Sequence, residues 1–287
     1  MFTAALLLAT MAANPSNASS QIPPAIYTDP APDTVHPPRM EVLHIPSGGV
    51  EINGVAYLAA GPGPHPTILI CHGLPGNEKN LDLAQALRRA GWNAITFNYR
   101  GSWGSPGSFR FAQNPEDAKA VLAYLRSPAN AQKLGVDTSR LVIAGHSMGG
   151  WVAAKASAND EALLGTVLIS SGNLGERFKL PRAELVARMA DSLESLVGTS
   201  PETMADELTA NTAAFDFTIG AAGLSNKPLL VLSSNDGLAP QSDALIAAID
   251  KAGGKRVTAI HVGTDHSWSD SRIRLQTEII NWLAKLK

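Results

Sequence analysis

The sequence predicts an α/β domain: a mostly parallel, twisted sheet with helices on both faces and a small helical cap set into it. Three observations carry this. Short apolar runs of strand length alternate with amphipathic stretches of helical length. One run, Leu141-Val142-Ile143-Ala144, passes directly into Gly145-His146-Ser147-Met148-Gly149-Gly150, a strand–turn–helix junction. The alternation is interrupted once, between Gly172 and Asn226, where helical patterns stand in place of a short crossover.

The elements follow in order. Met40 to Ile45 and Val50 to Ala59 read as an opening antiparallel pair around Ser47-Gly48-Gly49. Thr67 to Cys71 is the next strand, Leu81 to Ala90 an amphipathic helix ended by Gly91, and Asn93 to Asn98 a strand. Asn114 caps a helix through Arg126, with Pro115 at its first position. The strand at 141–145 leads into a helix through Ser157, and Gly165 to Ser170 is again a strand. Residues 173–226 form the cap, with helices expected at 181–197 and 201–213. Pro228 to Ser233 and Arg256 to Val262 complete the sheet, the helix 240–252 lies between them, and Ser271 to Leu286 closes the chain.

Upstream of residue 40 the character changes. Phe2 to Ala13 is apolar, about as long as the core of a secretory signal and too short to span a membrane, although it lacks a basic start. Residues 1–20 are therefore expected to be a signal peptide, implying export to a periplasm or the exterior. If the segment is instead an arm packed on the domain, the protein is cytoplasmic. Residues 21–39, rich in proline, are expected to be extended and loosely packed.

Composition narrows the function. The chain has 287 residues, 45% apolar and 17% charged, with a net charge of −2. Such a chain buries a large core, and nothing in its charge invites nucleic acid or an anionic membrane. No metal-ligand spacing and no phosphate-binding glycine loop is present in the sequence, so neither cofactor nor metal is expected. The lone Cys71 ends a strand and reads as a small core residue.

The chemistry lies in three separated segments. Gly-x-Ser-x-Gly after a strand and before a helix is a nucleophile elbow, which lifts the serine hydroxyl above the sheet; an incidental serine in a glycine-rich turn is the alternative. A nucleophilic serine needs a base, and the base needs an orienting group. Asp236 follows the strand at 228–233, and His266 follows the strand at 256–262, so both sit where the carboxyl ends of strands gather ligands. Ser147 is thus the expected nucleophile, His266 the base and Asp236 its orienter. Asp265 and Asp270 read as loop residues, Asp243 as surface, and His261 as structural. His146 flanks the nucleophile and is expected to point away from it. The oxyanion is expected to meet the backbone N–H groups of Met148 and Leu74, since Pro75 has none to offer.

His72-Gly73 with the Gly145–Gly149 elbow, Asp236 and His266 resembles the α/β-hydrolase superfamily over about residues 41–287. Asn98-Tyr99-Arg100-Gly101-Ser102, the spacing from Asp236 to Pro240 and that from Gly263 to His266 resemble the prolyl oligopeptidase and acylaminoacyl-peptidase-like group. Those peptidases carry a propeller before the catalytic domain, for which this chain has no room. The resemblance therefore implies a stand-alone serine hydrolase acting on small or medium carboxylic esters through an acyl-serine intermediate. Peptide cleavage, acyl transfer, perhydrolysis and a non-catalytic binding role remain as alternatives. A peptidase recognising a free amine needs a carboxylate near its pocket, for which Glu176, Glu184 and Asp191 are candidates. Leu185, Met189, Leu193 and Leu196 read as packing residues or pocket lining, as do Phe215 and Phe217, while Trp103 and Trp268 read as pocket walls or shields of the sheet. Oligomeric state is not legible in the sequence.

Overall fold

The computed structural model describes residues 21–286. One eight-stranded sheet organises them, in the order β1-β2-β4-β3-β5-β6-β7-β8. The strands are β1 (Arg39–Ser47), β2 (Val50–Leu58), β3 (His65–Cys71), β4 (Asn93–Phe97), β5 (Val136–His146), β6 (Leu163–Ile169), β7 (Leu229–Ser233) and β8 (Val257–His261). β1 and β2 form a hairpin, and β2 meets β4 antiparallel. From β4 to β8 every pairing is parallel.

Side-chain patterning accounts for this order. β1 alternates, with Leu43 and Ile45 inward and Met40 and Val42 outward, as suits a strand at an edge. β4 is buried throughout and β7 nearly so, which requires cover on both faces. That cover comes from two helical layers. On one face lie α2 (Asn114–Arg126), α3 (Pro128–Leu134), α4 (Met148–Ser157) and α9 (Ala239–Lys251), together with the cap. On the other lie α1 (Leu81–Arg89) and α10 (Arg272–Leu283), which send Leu83, Leu87, Leu275, Ile279 and Trp282 into a second core.

Three features depart from expectation. α3 was not anticipated, although Pro128 at its first turn and the left-handed Gly135 just past its end bracket it well. The long helix expected at 181–197 breaks: α5 (Arg182–Ala190) gives way to a short 3-10 turn at Leu193–Ser195. α6 (Pro201–Ala210), α7 (Thr212–Phe215) and α8 (Ala221–Leu224) complete the cap. The proline-rich segment is not simply extended and loose. Pro24–Ile26 forms a 3-10 turn whose Ala25 and Ile26 carbonyls accept hydrogen bonds from Arg89 at 2.6 and 3.3 Å, docking it on α1. The apolar run Phe2–Ala13 lies outside the described residues.

Candidate active site

Ser147 stands between the end of β5 and the start of α4 with φ 58° and ψ −122°, a conformation that non-glycine residues avoid. The surroundings enforce it. The Ser147 N–H donates to Ile169 O at 2.9 Å, and its carbonyl accepts from Gly150 N at 3.0 Å and Gly172 N at 3.3 Å. The flanking glycines are dictated by space. A Cβ on Gly145 would lie 1.9 Å from Gly149 O, and one on Gly149 would lie 2.1 Å from Cys71 O. The strand end and the first helical turn thus touch backbone to backbone, and only residues without side chains allow it.

The loop after β3 closes over the serine. A Cβ on Gly73 would lie 2.9 Å from Ser147 Cβ, so the loop passes directly against that serine. His72 shapes that loop from beneath. It is 3% exposed; its Nδ1–H donates to Gly73 O at 2.8 Å, and its Nε2 accepts from the Ser102 hydroxyl at 3.4 Å. Burial, with the Lys79 charge nearby, pushes its pKa down to about 4, so the ring is neutral and acts as a strut. The Tyr99 hydroxyl donates to His72 O at 3.1 Å. Pro75 O accepts from the Trp103 indole N–H at 2.6 Å and from the Ser195 hydroxyl at 3.2 Å, tying the loop to the cap. The backbone N–H groups of Leu74 and Met148 meet no acceptor among the described residues.

β7 and β8 deliver the other two groups. His266 Nδ1–H donates to Asp236 Oδ2 at 2.7 Å; the carboxylate is 5% exposed and the imidazole 39%. Burial pushes the Asp236 carboxyl up, but the His266 hydrogen bond and the Leu238 N–H, 2.9 Å from Oδ1, outweigh it and hold the pKa below the usual value. Ser147 and His266 line one cleft of 190 Å³, together with Gly73, Leu74, Glu78 and His146. A larger hollow of 500 Å³ beside Ile22 and the start of α10 has neither of them in its walls.

His146, expected to point away from Ser147, lines the same cleft. Its Nε2–H donates to His266 O at 2.7 Å, and the two rings sit 4.7 Å apart. Burial and the neighbouring His266 push its pKa down to about 4, so a neutral imidazole pins the loop that carries His266. Trp268 is fully buried within the second core and donates through Nε1 to Ser170 Oγ at 3.0 Å; it braces the loop after β8 and shields the sheet. Ser170 in turn lies 2.8 Å from Ser234 Oγ, close to Asp236 in the chain.

The remaining sequence candidates lie elsewhere. Asp265 accepts from Ser269 N at 2.8 Å as a loop-capping residue, Asp270 takes the Thr264 hydroxyl, and Asp243 is exposed on α9. His261 binds Ser233 Oγ and Asn235 Oδ1, both at 3.0 Å, on the edge strand. Glu176 pairs with Lys179 and Glu184 with Arg188, and neither they nor Asp191 line the cleft. Leu185, Met189, Phe215 and Phe217 are buried in the core under the cap, with Phe215 edge-on to Trp151 at 5.1 Å. Cys71 is wholly buried, and burial pushes its thiol pKa up. Among the described residues no group of three or more His, Cys, Asp or Glu side chains could hold a metal, and no helix is long and apolar enough to cross a membrane.

Residues 68–274, which include the elbow, Asp236 and His266, match the alpha/beta hydrolase family. The chain belongs to that family. Among solved structures this hydrolase is similar to an esterase of Pyrobaculum calidifontis, with 22% identity, TM-score 0.65 and coverage of 85% of each chain. It is also similar to an acylaminoacyl peptidase of Pyrococcus horikoshii, with 17% identity and TM-score 0.66, over 88% of this chain and 42% of that one. An uncharacterized protein of Mycobacterium tuberculosis (strain H37Rv) is 29% identical over 125 residues, which are 43% of this chain and 43% of that protein. The match thus spans less than half the length of that relative. At these identities the solved structures speak for the fold alone.

Proposed function

We propose that this hydrolase cleaves small or medium carboxylic esters through an acyl-serine intermediate. One observation carries the reading. Ser147 is held in a strained elbow on the same cleft as His266, whose far nitrogen is bound to a buried carboxylate. In this reading Ser147 Oγ attacks the ester carbonyl while His266 Nε2 takes its proton. Asp236 fixes the tautomer that leaves Nε2 free and stabilises the imidazolium. The developing oxyanion meets the Leu74 and Met148 N–H groups, each of which has no competing acceptor among the described residues. Such a donor is typically worth about 3 kcal/mol of barrier. Collapse expels the alcohol with the proton from His266, and water, deprotonated by the same base, releases the acid and restores Ser147.

The cleft volume of 190 Å³ supports a compact substrate, since pockets for drug-sized ligands begin at about 300 Å³. Labelling by a fluorophosphonate probe tests the assignment. The expected result is one label on Ser147, lost in Ser147→Ala together with at least a thousandfold of p-nitrophenyl acetate hydrolysis. Folded protein that takes no label points to a binding module. Faster turnover of peptidyl anilides than of p-nitrophenyl esters points to a peptidase. Export remains a proposal resting on the Phe2–Ala13 run; N-terminal sequencing of protein recovered from the periplasm tests it.

A further inference from the structure

Among the described residues, Glu78 is the one carboxylate in the wall of the cleft that holds Ser147 and His266. It stands just past the oxyanion loop, before the start of α1, and is about one-third exposed. Its position is fixed. Oε1 accepts from Asn80 N at 2.5 Å, and Asn80 is held in a left-handed conformation at the head of α1. Oε2 has no partner among the described residues.

The neighbouring cations are engaged elsewhere. Arg272 comes no closer than 3.8 Å to Glu78. Its guanidinium is bound to both Asp82 oxygens, at 2.5 and 2.9 Å, and to Asn80 Oδ1 and Ser267 O, both at 3.0 Å. Lys79 turns to Asn98 Oδ1 at 3.1 Å and sits 4.1 Å over the Trp103 ring. Arg272 is thus matched by Asp82, and Glu78 adds a further negative charge at the cleft. From there the wall runs into a second groove of 440 Å³, which shares Asn77, Glu78 and Ser267 with the cleft.

We infer that Glu78 selects substrates carrying a compact cationic group, an ammonium, near the scissile carbonyl. This rests on the acyl-serine reading of the same cleft and adds the chemical class of its substrate. An ammonium at the free Oε2 forms a charge-assisted hydrogen bond in a half-enclosed site. An anionic group in the same place meets like charge and is disfavoured. Of the other side chains lining the cleft, Leu74 is apolar and His146 uncharged, and neither reverses this sign.

Isosteric pairs test it. Glycine p-nitrophenyl ester against p-nitrophenyl propionate places the ammonium on the acyl side, each rate being divided by its hydroxide-catalysed rate. Protonated 2-(dimethylamino)ethyl acetate against 3-methylbutyl acetate places an N–H cation on the alcohol side. The wild-type protein is expected to favour the cationic member of at least one pair by about tenfold in kcat/KM. The same ratio is expected to collapse toward one in Glu78→Gln, which keeps the oxygen that accepts from Asn80 N. Glu78→Lys is expected to shift preference toward a succinyl ester, and thermal melts establish that both variants are folded. A preference that survives in Glu78→Gln, or none in the wild type for either pair, overturns the inference while leaving ester hydrolysis in place. Loss of fluorophosphonate labelling and of all ester turnover in the wild type instead brings down the acyl-serine reading, and the selection by Glu78 with it.

Discussion

Two neutral histidines buried beside the cleft give the protein a specific acid weakness. His72 and His146 have pKa values of about 4 because burial excludes the imidazolium. In the unfolded chain an imidazole titrates near 6.5, so between about pH 6.5 and 4 the unfolded state binds protons that the native state refuses. Stability therefore falls as pH drops through that window and levels off, for these groups, below it. Asp236 acts lower: its contribution is present above the ordinary carboxylate value and is lost as pH falls through its depressed native value. Urea unfolding at pH 7 and pH 5 is expected to differ by about 2 kcal/mol for each histidine. His146→Gln is expected to remove roughly half of that difference; a flat profile contradicts the assignment of neutral rings. The placement of Ser147, Asp236 and His266 past the ends of β5, β7 and β8 was legible in the sequence because each follows a recognisable strand. The service of His146 was not, because its partner lies 120 positions away and no local pattern marks it. No local pattern marks Glu78 either, since its hydrogen bond to Asn80 N is a turn contact and only the fold brings it to the cleft. The carboxylates suggested by the sequence, Glu176, Glu184 and Asp191, lie in the cap, whereas the cleft is walled by the loop after β3.

At the level of elements, the mostly parallel sheet and most strand positions could be read because β3, β4, β6 and β7 are built on apolar runs with clear punctuation, whereas β5 starts at Val136, five residues before its apolar run. The cap was harder. Its helices are short, and their apolar residues serve packing between α5, α6 and the core, so helical spacing alone cannot show where the chain breaks. The break at 191–196 has a local consequence. It brings Ser195 to Pro75 O, beside Trp103 Nε1. Trp103→Phe removes the shorter of these two hydrogen bonds, a loss of about 1 kcal/mol. Since Pro75 follows Leu74, kcat for p-nitrophenyl acetate is expected to fall severalfold while KM and the melting temperature change little. A variant with unaltered kcat shows that the loop holds its shape without the indole.

Across the whole molecule, one buried ion pair joins regions distant in sequence. Asp117 on α2 is fully buried and accepts from Arg100 Nε at 2.6 Å, Arg100 N at 2.9 Å and the Ser47 hydroxyl at 2.5 Å. It thereby fixes the end of β1 and the loop after β4 on one helix. Removing one partner of such a pair strands a charge in the interior and typically costs about 3–5 kcal/mol. Asp117→Ala is expected to lose that amount in urea denaturation, with the hairpin amides of β1 and β2 the first to gain hydrogen exchange. A loss below 1 kcal/mol means that water reaches Arg100 and solvates it.

The shared carbonyl of Pro75 also bears on how this scaffold could be re-engineered. A designer wishing to graft a roomier roof onto the sheet would treat 173–226 as an exchangeable module, yet the graft would carry away Ser195 and leave Trp103 as the remaining side-chain donor to Pro75 O. Transplants that supply a hydroxyl at that point should keep turnover, whereas those that do not should bind substrate and process it slowly.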